Sequence, residues 1–273
     1  MFCLKHLLCV LFLLCATYTT HAQAALGNAF SHNDYWHKHP LYDALNNGYA
    51  YIETDIYLRG NSLVVAHILP CLRKKRTLEN LYLGPLLNGK YKNGDSLPDY
   101  PITLLIDIKS DAERTYRALD SVLEKYKSII TSYDSGTITR RKVTIVLSGN
   151  KPYAILKSQT CRRAFIDEDL RKTGRDSLQG NIYLTASCRY SHLLTWNGRG
   201  TMPVMQKKQL CRFIHLAHLN EQKVRLWASP ENTKVWKALL ECGVDLINTN
   251  KLVKLKDFLL ADAGRQTLAG GVN

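Results

Sequence analysis

The sequence predicts an α/β fold, a single (β/α)8 TIM barrel, on three observations. The chain has 273 residues, 45% of them apolar, and about 250 residues is the usual size of one such barrel. Short apolar, strand-like runs recur with helical stretches between them, the pattern of a parallel sheet with helical crossovers. The intervening helices carry start and stop signals at the positions that this alternation requires.

In chain order the strand-like runs are 27–31, 49–57, 63–67, 102–108, 142–147, 181–185, 224–228 and 244–248. After the fourth, Ser110 and Glu113 have the spacing of a capping box. The helix that follows repeats Ala112, Tyr116, Leu119, Val122, Leu123, Tyr126 and Ile130 at three- and four-residue steps, one apolar face for the barrel wall. Near the end, Ser229-Pro230-Glu231 reads as a helix start, with a cap residue and proline at the first position. Gly243 ends that helix just before the last strand. The stretch 84–101, rich in Gly, Pro and Asn, reads as a long loop. There is no internal repeat and no low-complexity tract, so one domain over 25–273 is expected.

Residues 1–24 are set apart from that domain. Lys5 and His6 precede an apolar run from Leu7 to Cys15, and small residues follow at Ala22 and Ala24. This is the layout of a secretory signal peptide, cleaved near Ala22 or Ala24, with an apolar segment short for a bilayer span. The expected destination is the periplasm or the outside of the cell. Leu14 before Cys15 is too bulky for the usual lipoprotein signal. Three of the eight cysteines leave with the signal; the remaining five, Cys71, Cys161, Cys188, Cys211 and Cys242, have irregular spacing. They form neither a disulfide framework nor a zinc motif. The net charge of +14 favours anionic partners such as phosphate esters or an anionic membrane surface. The basic residues are scattered and no nucleic-acid module is present, which argues against nucleic acid as the partner.

Chemistry concentrates in four segments: Ser31-His32-Asn33-Asp34, Tyr51-Ile52-Glu53-Thr54-Asp55, Val64-Val65-Ala66-His67 and Ile106-Asp107-Ile108-Lys109. Residues two apart on a strand share a face, so Glu53 pairs with Asp55 and Asp107 with Lys109. At the carboxyl ends of barrel strands these side chains converge on the mouth. Three carboxylates facing one another would repel without a cation. An oxygen-only donor set suits Mg²⁺ or Ca²⁺ rather than zinc or copper. His32 and His67 have the titration range for a general acid and base on either side of a phosphorus, and Lys109 offers a second positive contact. Taken singly, a Glu-x-Asp on a strand is usually a solvated edge and a lone histidine a polar core residue. It is the ordered set at strand ends that points to metal-assisted phosphodiester cleavage.

That order, His, Glu-x-Asp, His, then an acid followed two later by lysine, resembles the superfamily of glycerophosphodiester phosphodiesterases and phosphatidylinositol-specific phospholipases C. His32-Asn33-Asp34-Tyr35, Pro40-Leu41-Tyr42-Asp43-Ala44-Leu45, Arg76-Thr77-Leu78-Glu79-Asn80-Leu81-Tyr82-Leu83, Leu105-Ile106-Asp107-Ile108-Lys109-Ser110 and Gly243-Val244-Asp245-Leu246-Ile247-Asn248-Thr249-Asn250 narrow it. These stretches are similar to the branch related to the yeast protein "altered inheritance of mitochondria 6". The resemblance implies a divalent-metal TIM-barrel enzyme acting on a small-molecule or lipid phosphodiester. In it, His32 and His67 are the acid–base pair, Glu53, Asp55 and Asp107 the metal ligands, and Lys109 a site-facing lysine. Three departures leave the substrate class open. Asn33-Asp34 replaces the Arg-Gly that usually follows the first histidine, Ile68 replaces the Asp after the second, and Asp107 stands for the commoner Glu.

Several smaller features have two readings each. Arg73-Lys74-Lys75-Arg76 either steers an anionic substrate or is a solvated charge run. Trp227 either stacks on a sugar or glycerol group or packs in the core. Gly149-Asn150-Lys151 either touches phosphate or forms a plain turn. His37 and His39 read as surface residues, and His192, His215 and His218 lack a recognisable spacing. The leading expectation is therefore an exported, metal-dependent phosphodiesterase. The alternatives are a phosphomonoesterase on the same scaffold and a secreted, non-catalytic ligand-binding barrel.

Overall fold

A computed structural model of the chain describes residues 24–68, 75–174 and 181–270. The expected signal segment lies outside these residues, apart from its last position. Twelve strands follow in chain order: β1 (Leu26–Ser31), β2 (Tyr49–Arg59), β3 (Ser62–Val65), β4 (Ile102–Ile108), β5 (Ser132–Asp134), β6 (Thr137–Thr139), β7 (Val143–Gly149), β8 (Cys161–Arg162), β9 (Phe165–Asp169), β10 (Tyr183–Arg189), β11 (Lys223–Trp227) and β12 (Leu246–Thr249). Eight of them pair in parallel in the ring order β1, β2, β4, β7, β9, β10, β11, β12 and back to β1. The sheet is a closed (β/α)8 TIM barrel, as expected. The helices are α1 (Tyr42–Asn46), α2 (Gly84–Asn88), α3 (Ala112–Lys125), α4 (Tyr153–Ser158), α5 (Val204–Leu219), α6 (Thr233–Glu241) and α7 (Leu252–Gly270). None is long and apolar enough to cross a membrane.

The eight expected strands and the eight observed barrel strands are not the same set. The run 63–67 is no barrel stave: β3 folds back antiparallel on the end of β2, with Ile56 opposite Val65 and Arg59 opposite Ser62. The eighth stave is β9, Phe-Ile-Asp-Glu-Asp, whose three acids hide a strand from any apolar pattern. Asp167 and Glu168 are buried all the same, because each finds donors there. Thr185 Oγ1 donates to Asp167 at 2.6 Å, Ser187 Oγ also donates to it, and Gln222 Nε2 donates to Glu168 at 2.7 Å. Buried polar groups are tolerated when they are hydrogen-bonded.

Three local expectations are corrected. The cap of α3 is Asp111, which accepts from the Arg114 amide at 2.8 Å; Ser110 Oγ instead accepts from Leu58 N at 2.9 Å. The cap of α6 is Asn232, accepting from Val235 N at 3.0 Å, so the Ser229-Pro230-Glu231 stretch precedes the helix. Glu231 is used elsewhere, accepting from Thr249 Oγ1 and Asn250 N. The stretch 84–101 begins with α2, which continues a π-helical turn over Glu79–Leu83, rather than being loop throughout. Gly243 does follow α6, at φ 93°, where only glycine is free of strain.

The core has an outer and an inner part. Between staves and helices, α3 buries Tyr116, Leu119, Val122 and Leu123, each fully buried leucine contributing about 1.5–3 kcal/mol. Helix α7 buries Leu252, Leu255 and Phe258. Inside the barrel a separate cluster contains Phe30, Leu105, Val146, Phe165 and Leu246. Each of these precedes, by two residues, a polar position: His32, Asp107, Ser148, Asp167 and Asn248. With a side-chain period of two, the apolar layer is the floor and the polar layer lies directly above it. That alternation places the chemistry.

Candidate functional site

The polar layer opens into a cavity of about 620 Å³ at the carboxyl ends of the staves, lined by all six side chains singled out in the sequence. Parallel register puts Asp55 of β2 beside Asp107 of β4, with Glu53 one step deeper. One oxygen from each of Glu53, Asp55 and Asp107 lies within 4.8 Å of the others. The donors are hard, anionic and directed at one point, which fits Mg²⁺ or Ca²⁺. Burial, eased by Arg225 but reinforced by Asp55 and Asp107, raises the Glu53 carboxyl to about 7. Asp107 is also raised, chiefly by burial, with Lys109 opposing. Both acids would be relieved by a cation.

Lys109, following β4, is already at this cluster. Its Nζ lies 3.2 Å from Asp55 Oδ2 and 3.2 Å from Asp107 Oδ1. Partial burial pulls its pKa down, but the two aspartates more than offset that and raise it. Lys109 is therefore a charged strap across two carboxylates. Gly149, at the end of β7, makes room for the arrangement. A Cβ there would stand 2.1 Å from Asp107 Oδ1 and 2.6 Å from Ile108 O, at a backbone φ of +68°. The turn reading of Gly149 was incomplete; the residue guards the space of a carboxylate.

Both histidines are held by Nδ1. His32 Nδ1 lies 2.9 Å from Asn250 Oδ1, and a carbonyl oxygen only accepts. Asn33 Nδ2 stands 3.3 Å from the same nitrogen; where Nδ1 carries the ring proton it donates to Asn250, and Nε2, 3.7 Å from Glu53 Oε2, keeps its lone pair. Burial, followed by the charge of Arg225, holds the His32 pKa below its ordinary value. His67, reached through the β3 arm, places Nδ1 3.0 Å from Asp55 Oδ2. Tyr35 completes this corner: its hydroxyl lies 2.8 Å from Asp55 Oδ2, 3.0 Å from His67 Nδ1 and 3.0 Å from Asn33 Oδ1. The half-exposed imidazole also meets the exposed Trp36 edge-to-face at 5.1 Å.

The positions that depart from the superfamily pattern separate here. Asp34 is wholly buried away from the cavity, accepting from Leu41 N, Tyr82 Oη and Ser31 Oγ; it pins the turn after β1. Asn33, at φ 48°, lines the cavity. Ile68 is 58% exposed. A guanidinium is present nonetheless, from the other side of the barrel. Arg225 of β11 is buried, with Nη1 3.3 Å from Glu53 Oε2 and 3.0 Å from Asn248 Oδ1. Its Nη2 lies 3.7 Å from Asp167 Oδ2, and its guanidinium sits 4.3 Å above the Phe30 ring.

Tyr35, Gly149, Arg225 and Asn250 were missed as site residues. A signal for Arg225 existed: it shares a strand face with Trp227, for which stacking on a sugar or glycerol group is one of the two readings of the sequence. Trp227 does line the cavity. Lys151 does too, donating to the Asp167 carbonyl at 2.5 Å. Arg73 and Lys74 lie outside the described residues. Arg76 is half-buried and donates to the Tyr35 carbonyl at 2.5 Å, so it is a structural tie rather than part of a solvated run. His39 is exposed and pairs with Asp43 at 3.3 Å, while His37 is half-buried. The described cysteines, Cys161, Cys188, Cys211 and Cys242, are free thiols.

A closed barrel with a three-carboxylate cluster and two anchored imidazoles at its mouth is the scaffold of a phosphoric diester hydrolase. Over residues 21–167 the chain matches the AIM6-like phosphodiesterase domain, and it belongs to that family. It is 29% identical to "Altered inheritance of mitochondria protein 6" of Eremothecium gossypii, an alignment covering 85% of this chain and 69% of the relative. It is 30% identical to the protein of that name from Saccharomyces cerevisiae, over 81% of this chain and 68% of the relative. The homolog from Arthroderma benhamiae is 26% identical, over 84% and 82%. Among solved structures, a glycerophosphodiester phosphodiesterase from Parabacteroides distasonis superposes with a TM-score of 0.53 at 12% identity, covering 86% of this chain and 98% of that one. That likeness is one of fold.

Proposed function

We propose that the protein is an exported, metal-dependent phosphodiesterase cleaving a glycerophosphodiester or phospholipid-headgroup diester. The observation that carries the reading is the convergence of Glu53, Asp55 and Asp107 within one cavity with two imidazoles, each held through Nδ1. Glu53, Asp55 and Asp107 would hold Mg²⁺ or Ca²⁺, which when bound neutralises phosphoryl oxygens. His32, kept neutral by burial and by Arg225, takes the proton from the attacking hydroxyl at Nε2. His67, anchored through Nδ1 at the Asp55 carboxylate, is the group that delivers a proton to the leaving oxygen. Tyr35 and Asn250 orient the two rings, and Lys109 holds Asp55 and Asp107 against mutual repulsion.

Export belongs to the same reading, supported by the charged start, the apolar run 7–15 and the alanines at 22 and 24. Sequencing the amino terminus of protein recovered outside the cytosol tests it: a start near 23 or 25 is expected, and a retained Met1 overturns it. The activity is tested by phosphorus NMR with glycerophosphodiesters, lysophospholipids and inositol phosphodiesters, with Mg²⁺ or Ca²⁺ and with chelator. A metal-dependent new resonance is expected, whose position separates cyclic phosphate from monoester. Metal binding with no product from any diester would leave a binding barrel.

A further inference from the structure

On the outside of the barrel, away from the cavity, α5 runs beside the chain that leaves α6 for β12. Lys207, Cys211, Ile214 and His218 recur along α5 at three- and four-residue steps, one stripe of a helix. Three of these four meet the other segment at printed positions, and in the same order. Lys207 Nζ lies 4.0 Å from Glu241 Oε2. A Cβ on Gly243 would stand 3.4 Å from Ile214 Cγ2. His218 Nε2 lies 2.8 Å from Asp245 Oδ2.

That register leaves one place for the fourth. Cys211 falls between Lys207 and Ile214, and Cys242 between Glu241 and Gly243, so the two sulfurs face each other. They do meet: the Cys242 thiol donates to the Cys211 sulfur, and burial, followed by this contact, raises the Cys242 thiol to about 12. Both thiols are free in the structure, Cys242 buried and Cys211 half-buried. The other described cysteines are engaged elsewhere. Cys161 donates to Asp134 Oδ1 at 2.9 Å, and Cys188 is buried at the end of β10 near Asp169 and Arg171.

We propose that Cys211 and Cys242 form a disulfide that clasps α5 to the segment entering β12. The oxidant is a small disulfide of the glutathione class or a thiol–disulfide oxidoreductase. Cys211, the more accessible sulfur, attacks first as its thiolate. Its bond to one oxidant sulfur forms as the oxidant's own S–S bond breaks, and the departing thiolate takes up the Cys211 proton. Cys242 then attacks the Cys211 sulfur, and the second oxidant thiolate leaves with the Cys242 proton. Two protein thiols thus lose two electrons, and one disulfide is reduced to two thiols. The clasp closes the loop 211–242, restricting the unfolded chain. It also fixes the approach to β12, whose Asn248 holds Arg225 and beyond which Asn250 holds His32. The inference goes beyond the phosphodiesterase reading and needs neither its metal nor its turnover.

The test incubates the purified, folded protein in a glutathione redox buffer, alkylates the remaining thiols and maps tryptic peptides without reduction. Cys211 and Cys242 fall in separate peptides, 209–212 and 238–251. These two are expected joined, two hydrogens lighter than their sum, and separated again by dithiothreitol. The oxidised protein should melt about 5–10 °C above the reduced one. Cys211→Ser, at the half-buried position, should remove both the cross-link and the difference in melting temperature; Cys242→Ser, at the buried one, should do the same if it folds. Recovery of both peptides alkylated or glutathionylated, or peptide 209–212 joined to any other cysteine peptide, overturns the pair. A cross-link that leaves the melting temperature unchanged overturns the clasp. Because the assay requires no product and no export, a silent phosphorus NMR panel or a retained Met1 would remove the proposed function and leave this result standing.

Discussion

The two walls of the barrel mouth are built by the same alternation of apolar floor and polar rim, yet they hold charge differently. On the β2–β4 wall, three carboxylates crowd within 4.8 Å, and one lysine straps two of them. On the β9–β11 wall, Asp167 is surrounded by hydroxyls and by Arg225, while Arg189 projects with no carboxylate partner among the described residues. The first wall is short of positive charge and the second has some to spare. Under the proposed function, a phosphate-bearing ligand with a metal would satisfy both. The contrast also follows the family match, which ends at residue 167: the acids, both imidazoles and Lys109 lie within it, whereas Arg189, Arg225, Trp227 and Asn250 lie beyond it.

The sharpest test of this division strikes the acidic wall. Asp55→Asn removes the carboxylate shared by Lys109, Tyr35 and His67, and chelation removes the cation; either should bring metal-dependent turnover to background. Retained turnover in both would refute the metal assignment. Replacing His32 or His67 by alanine is expected to lower kcat by about 10²–10⁴-fold, read against wild type by the same phosphorus assay, with the circular dichroism spectrum unchanged.

Arg225→Met probes the bridge between the walls. It leaves Glu53 and Asp167 buried without their counter-charge and should cost about 3–5 kcal/mol in urea unfolding without metal. Added Mg²⁺ should recover part of that loss; no recovery would show that Glu53 takes no part in holding the ion. Gly149→Ala puts a methyl group against the Asp107 carboxylate and forces an L-residue into the left-handed region, at about 1–2 kcal/mol for the backbone alone. Metal affinity should fall with stability, and a stability loss with unaltered affinity would mean that the turn, not the carboxylate, absorbs the strain. Asn232→Ala, at a residue that does not itself line the cavity, should cost only about 1 kcal/mol in urea unfolding through the lost helix cap, the smallest effect of the series.

Much of the site was legible from spacing. Glu53 and Asp55 share a strand face, as do Asp107 and Lys109, and histidines at strand ends follow the same rule. What stayed hidden were partners from distant sequence. Asn250 is 218 positions from His32 and Arg225 is 172 from Glu53, and no local period announces such a pair. Tyr35 was visible as part of a motif, but only folding back the β3 arm brings His67 onto its hydroxyl. The stave β9 escapes an apolar pattern because Asp167 and Glu168 are satisfied by Thr185, Ser187 and Gln222 from other segments of the same chain. The run 63–67 reads as a stave because an antiparallel arm and a parallel stave share one alternation.

By itself the sequence determined the class of fold and the chemical character of the site. Alternation with helices dictates a parallel sheet, and paired carboxylates on one strand face require a cation or a buried base. Tertiary structure alone decided which eight strands close the ring, which imidazole nitrogen is anchored, and where the guanidinium of Arg225 stands relative to the acids. The physical reason is range. Side-chain periodicity is a property of a few consecutive residues, while ring closure, hydrogen-bond satisfaction and charge balance are settled between residues that meet only after the barrel has closed.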